Sequence, residues 1–107
     1  MCGIAGIISL NERVNRDTLL LMSQELTHRG PDDFGIWIDN NIGLSHRRLS
    51  VIDLTSAGHQ PMCSLGDRFT IVFNGEIYNH LELRKQLDFF NWNGQSDTET
   101  LLVCIEL

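Results

Sequence analysis

Met1-Cys2-Gly3-Ile4-Ala5-Gly6-Ile7-Ile8 opens the chain, and its reading fixes the rest. Ile4–Ile8 is a continuous apolar run with two small residues, Ala5 and Gly6. It is too short for a buried helix and reads as a strand covered on both faces. The reactive side chain next to it is Cys2. Removal of Met1 would give Cys2 a free α-amine. Thiols and α-amines titrate within about one unit of each other, so the amine of such a residue can act as base to its own thiol. A strand directly behind it would hold the sulfur rigidly. A cysteine at position 2 of an apolar strand is, taken alone, an ordinary occurrence.

Outward from this strand, Leu19, Met22 and Leu26 recur at helical spacing, with Asn15 as N-cap and Asp17 in the first turn. Gly30-Pro31 stops that helix near His28. Ile36-Trp37-Ile38 is a strand, Asn40-Asn41 a turn tolerant of positive φ, and Ile42 to Leu49 the returning partner. Ser50–Ser64, with Gly58 and Pro61, lacks periodicity and is expected to be a loop. Phe69–Phe73 alternates as a strand after the Leu65-Gly66-Asp67 turn. Asn79 with Glu82, and Ser96 with Glu99, have capping-box spacing and open two further helices, the first carrying Leu83, Leu87 and Phe90. The second runs through Leu101, Leu102 and Ile105 to Leu107 with no Gly, Asn or Pro to end it, which predicts that the chain is one piece of a longer one. Strands mixed with two or three helices predict an α+β layer architecture.

Composition narrows the function classes. The 107 residues suit one small domain, and 42% apolar residues suffice for a core. Fourteen acidic against eight basic residues, net charge −6, with Lys85 the only lysine, argue against a nucleic-acid surface or a basic membrane patch. No run approaches the ~20 apolar residues of a membrane span, and the first residues do not have the pattern of a signal peptide. Three widely spaced cysteines (Cys2, Cys63, Cys104) do not form a disulfide framework, and the four histidines lack metal-ligand spacing. A cytoplasmic protein without a metal site is the expectation.

Three further segments have chemistry open to two readings. In Phe73-Asn74-Gly75-Glu76, the Asn74 carboxamide and the unobstructed Gly75 N–H are suited to an oxyanion. Asn-Gly is also the common hairpin dipeptide, although the residues after Gly75 read as a helix entry. Arg47-Arg48 ends a strand, where a guanidinium can fork onto a carboxylate or simply be solvated. Asp97 can meet an ammonium group or stabilise its helix N-terminus. His28-Arg29-Gly30-Pro31-Asp32 is a polar turn with no independent meaning.

In order and spacing, Cys2-Gly3-Ile4, His28-Arg29-Gly30-Pro31-Asp32, Arg48-Leu49-Ser50-Val51-Ile52-Asp53, Phe73-Asn74-Gly75-Glu76-Ile77-Tyr78-Asn79 and Ser96-Asp97-Thr98-Glu99 resemble the class II glutaminase domain of glutamine-hydrolysing asparagine synthetases. The resemblance covers residues 2 to about 107. It implies the N-terminal-nucleophile hydrolase fold, an αββα sandwich incomplete in this chain, with residues 1–107 forming the N-terminal part of the domain and the synthetase domain absent. It implies Cys2 as nucleophile forming a γ-glutamyl thioester, with Asn74 and Gly75 as oxyanion hole. Arg48 would hold the glutamine α-carboxylate, Glu76 and Asp97 its α-ammonium, and the backbone of Leu49, Ser50, Val51 and Ile52 would line the pocket. No cofactor is implied for this domain. ATP and Mg would serve the synthetase domain, which would pass the ammonia to an activated carboxylate, aspartate first and a sugar carboxylate as alternative. Pro31 and the Arg48–Asp53 string favour this branch over sugar-phosphate and phosphoribosyl amidotransferases.

Two other readings stand beside it. One is a non-catalytic glutamine-binding or interaction module, including a homodimer completed by swapped elements. The other is a cysteine hydrolase with His28 or His46 as base.

Overall fold

The computed structural model describes residues 2–49, 55–89 and 91–107. β1 (Gly3–Ile8) leads to α1 (Arg16–Gln24), then to the hairpin of β2 (Asp33–Asp39) and β3 (Ile42–Arg48). β1 pairs antiparallel with β3, Gly3 opposite Arg47 and Ile8 opposite Ile42, giving the sheet order β1-β3-β2. The turn sits where the two asparagines stand, and Asn40 takes the left-handed conformation at φ 55°. A second, two-stranded sheet pairs β4 (Met62–Cys63) with β5 (Thr70–Ile71). α2 (His80–Gln86) and α3 (Asp97–Glu106) come next and pack on each other. The architecture is α+β with antiparallel sheets.

Most elements arise where local chemistry asked for them. Asn15 caps α1, its side-chain oxygen accepting from the N–H groups of Asp17 and Thr18. Leu19 is fully enclosed between α1 and the sheet, with Val14 beside it. Ser96 Oγ accepts from the Glu99 N–H at the start of α3.

The departures have physical causes. β1 is an edge strand covered on one face only: Ile4 (48% exposed) and Ile8 (74%) stand open on the side away from α1. The expectation of burial on both faces is therefore corrected, because apolar residues in an antiparallel edge strand can alternate in exposure while the run stays continuous. α1 ends at Gln24, four residues before His28, and residues 25–29 form turns in which Arg29 N–H donates to Leu26 O. The Asn79 capping box does not form. Asn79 occupies the N-cap position at φ −99°, ψ 24° with no side-chain cap bond, outside the extended geometry that a capping side chain requires. The strand expected over Phe69–Phe73 is reduced to Thr70–Ile71, because its partner β4 is only two residues long, and β4 itself lies inside the stretch read as loop. Phe90, Ser50, Val51, Ile52 and Asp53 lie outside the described residues.

The interior is unusually polar. Among the described residues, Val14, Leu19 and Leu102 are the buried hydrophobics, whereas His46, Arg48, Gln60, His80, Asp97 and Glu99 are among the buried polar groups. Side-chain hydrogen bonds therefore take over much of the positioning that a larger apolar core would supply. Arg84 illustrates this: it donates to Thr100 Oγ1 (2.7 Å), Gly94 O (2.7 Å) and Ser96 O (2.8 Å), and stacks 3.9 Å above Trp92. The α2–α3 unit is locked by that one guanidinium, with His80 Nδ1 adding a contact to Thr100 Oγ1.

Candidate functional site

β1 begins beside Cys2, and β3 runs antiparallel to it, so the end of β3 comes to the cysteine. Leu49 N–H donates to Cys2 Sγ at 3.2 Å, and the sulfur lies 3.6 Å from Leu49 O. Arg29 Nε donates to Cys2 O at 3.3 Å, which gives the His28–Asp32 turn a task the sequence did not disclose. That turn also needs its glycine. A Cβ on Gly30 would lie 2.2 Å from Arg47 C and 2.5 Å from Arg48 N, so only glycine lets the turn lie against β3 at the level of the site.

The two arginines part company through strand alternation. Arg47 turns toward α1, donating to Ser23 O (3.1 Å) and Ser23 Oγ (3.0 Å) and stacking on Phe34. Arg48 turns the other way and is buried, with Nη1 donating to Thr55 O at 2.6 Å. Neither is a solvated strand end.

A cleft of about 420 Å³ opens in front of Cys2, within the size range of small-molecule sites. Cys2, Arg48 and Leu49 form one wall; Asn74, Gly75 and Glu76 another; Ser96, Asp97 and Thr98 a third. Residues from three distant parts of the chain thus meet in one concavity. Asp97 is buried at the start of α3, and its Oδ2 accepts from the Ile77 N–H at 2.8 Å, tying the helix to the segment after Asn74-Gly75. Glu76 and Gly75 are exposed at the rim and Asn74 is half-buried. Among the described residues, no group of three His, Cys, Asp or Glu is placed to hold a metal ion.

Two further cleft residues stand out in three dimensions more than in the sequence. Gln60 is buried between Phe73 and Thr98. No periodicity flags it, since it stands in an irregular segment. His46, legible in the sequence only as a possible base, lines the same cleft. It is buried, with Nε2 3.3 Å from Phe73 O and with Nδ1 enclosed and unpartnered among the described residues. Burial pushes its pKa below the ordinary 6.5, and the Arg48 and His59 charges push the same way. The Phe73 carbonyl and Asp33 oppose them. The balance favours the neutral imidazole of His46. His28, the other candidate base, is exposed and is not part of the cleft lining.

A cleft with a cysteine at the head of its first strand, facing an Asn-Gly pair and a buried carboxylate, matches what sequence comparison finds. The chain belongs to the glutamine amidotransferase family: the family model described as "Glutamine amidotransferase domain" matches residues 1–107. More narrowly, it is similar to part of several proteins named as glutamine-hydrolysing asparagine synthetases. It is 41% identical over 108 residues to "Asparagine synthetase [glutamine-hydrolyzing] 1" of Bacillus subtilis, covering 95% of this chain and 17% of that protein. It is 39% identical over 103 residues to "Asparagine synthetase [glutamine-hydrolyzing] 1" of Arabidopsis thaliana, covering 94% of this chain and 18% of that protein. A third relative, from Asparagus officinalis, is 38% identical over 103 residues, again 94% of this chain and 17% of the relative. The chain therefore spans about a sixth of the length of these relatives.

Proposed function

We propose that this chain supplies the glutaminase half-reaction of an asparagine-synthetase-type amidotransferase, with Cys2 as nucleophile after removal of Met1. The single observation that carries this reading is the meeting of Cys2, Arg48, Asn74, Gly75 and Asp97 around one cleft. Arg48 takes the α-carboxylate of glutamine: a guanidinium has five N–H donors, and Thr55 O occupies one of them. Glu76 and Asp97, which line the same cleft, take the α-ammonium. The side-chain amide then faces Cys2.

The Cys2 thiol passes its proton to its own α-amine as sulfur attacks the amide carbon, forming the C–S bond and an oxyanion. The Asn74 NH2 and the Gly75 N–H donate to that oxygen. Collapse re-forms the carbonyl and breaks C–N while the α-ammonium returns its proton to the leaving nitrogen, releasing ammonia. Water adds to the γ-glutamyl thioester, the C–S bond breaks, the thiol is restored and glutamate departs. The geometry favours the α-amine over a histidine base, since His28 is outside the cleft and both His46 nitrogens are enclosed, Nε2 against Phe73 O.

The family membership supports the larger scheme. Residues 1–107 would be the N-terminal part of a glutaminase domain completing an N-terminal-nucleophile αββα sandwich. A synthetase domain using ATP and Mg would receive the ammonia, with aspartate as acceptor. In the full-length, Met-processed protein, Cys2→Ala is expected to lower glutamine hydrolysis to background while synthesis from added ammonium chloride persists. Glutamine turnover that survives Cys2→Ala would falsify the assignment of the nucleophile.

A further inference from the structure

The geometry points to Gln60 as a positioning residue that sets the oxyanion hole, coupling Asn74-Gly75 to the α3 end that holds Asp97; this rests on the glutaminase reading above.

The ladder between β4 and β5 ends at Ile71, so the chain reaches Asn74 and Gly75 beyond its last paired residue. Side chains from other elements hold this stretch instead. Gln60 Oε1 accepts from the Phe73 N–H at 2.7 Å, and His46 Nε2 lies 3.3 Å from Phe73 O, so both backbone polar groups of the residue preceding Asn74 are engaged. Asp97 Oδ2 accepts from the Ile77 N–H on the far side. The opposite end of the Gln60 carboxamide, Nε2, donates to Thr98 Oγ1 at 3.2 Å, next to Asp97.

Gln60 is 6% exposed. Both ends of its amide are bound to protein, so it spans the cleft base without needing to touch substrate. Its own backbone is seated by close approach to β2. A Cβ on Gly35 would lie 2.2 Å from Gln60 O, so that contact requires glycine. The sheet therefore locates Gln60, and Gln60, braced on Thr98 of an α3 end that Ser96 and Arg84 hold separately, locates the donors for the oxyanion. A displacement of about 1 Å in such donors can lower the rate by about 100-fold.

The test uses the full-length, Met-processed protein with three measurements: steady-state glutamine hydrolysis, binding of glutamate, and inhibition by the γ-aldehyde of glutamate. That aldehyde adds the Cys2 thiol to give a hemithioacetal whose oxygen occupies the oxyanion position, so it reports the hole, whereas glutamate reports the α-carboxylate and α-ammonium contacts. Gln60→Leu is expected to lower kcat by about 30- to 100-fold. Aldehyde affinity should weaken by a similar factor and glutamate affinity should change less than about threefold, the pattern of an interaction realised in the transition state. Gln60→Glu keeps an acceptor for the Phe73 N–H and lets the Thr98 hydroxyl donate in its turn, and should recover most of the kcat.

If Gln60→Leu does not fold, Thr98→Val carries the test by cutting only the far link. A fall in kcat and in aldehyde affinity of about fivefold, with glutamate binding retained, supports the coupling. Unchanged kcat, or equal losses in glutamate and aldehyde binding, in whichever variant folds overturns the positioning role while leaving the glutaminase reading intact. Hydrolysis that survives Cys2→Ala overturns that reading first, and the inference with it.

Discussion

His46 shows how a single side chain links the strand, the cleft and pH. It stands on β3 with almost no exposure, facing Phe73 O, and its protonation is opposed by burial and by the charges of Arg48 and His59, with only the Phe73 carbonyl and Asp33 favouring it. A histidine whose pKa is lowered on folding binds more protons when unfolded. Its contribution to stability is therefore complete above about pH 6.5 and is lost as pH falls through the lower folded value. Thermal unfolding observed between about pH 7.5 and 5 should show the melting temperature dropping on the acid side. His46→Gln, which keeps a donor for Phe73 O without a titrating ring, should flatten that slope. An unchanged slope in the variant would remove His46 as the cause.

At the level of elements, the N-terminus of α3 holds more than its length suggests. Ser96 Oγ accepts from Glu99 N–H, and the Glu99 carboxylate reaches the N–H groups of Asn93 and Gly94, so the box spacing read from the sequence forms a wider set of contacts that includes the incoming loop. Arg84 from α2 closes it by donating to Ser96 O. Asp97 and Thr98 are presented to the cleft from this capped end. Ser96→Ala should therefore destabilise the protein by about 1 kcal/mol, seen in denaturant titration, and should also raise the KM for glutamine because Asp97 loses its fixed origin. Loss of stability with an unaltered KM would separate the cap from the site. The same reasoning explains why the Asn79 side chain makes no cap where the Ser96 side chain does. Spacing alone licensed both, but capping requires extended backbone at the first residue, which Ser96 has (φ −73°, ψ 146°) and Asn79 has not.

At the scale of the molecule, the three-stranded sheet has two unlike faces. One is packed by α1 around Leu19; the other carries the cleft near His46 and leaves Ile4, opposite His46, and Ile8 and Ile42, at the far end, exposed. Exposed apolar side chains gathered on an edge strand and its neighbour are a self-association hazard. The 107-residue chain alone should elute on size exclusion as oligomer or aggregate, and Ile4→Thr with Ile8→Thr should shift it toward monomer; a monomeric unsubstituted chain would refute this. The sequence by itself determined the order of motifs and the β-hairpin at Asn40-Asn41. It also determined the caps of α1 and α3 and the family, because these rest on local backbone chemistry and on residue identities at fixed spacing. Without the family resemblance it could not decide which arginine faces the cleft, and it could not decide that β1 would be open on one side or that Gln60 would join Phe73 to Thr98. Those depend on which surfaces meet, and contacts between residues 38 apart in sequence leave no periodic trace along the chain, arising only when sheet, loop and helix close around the same cleft.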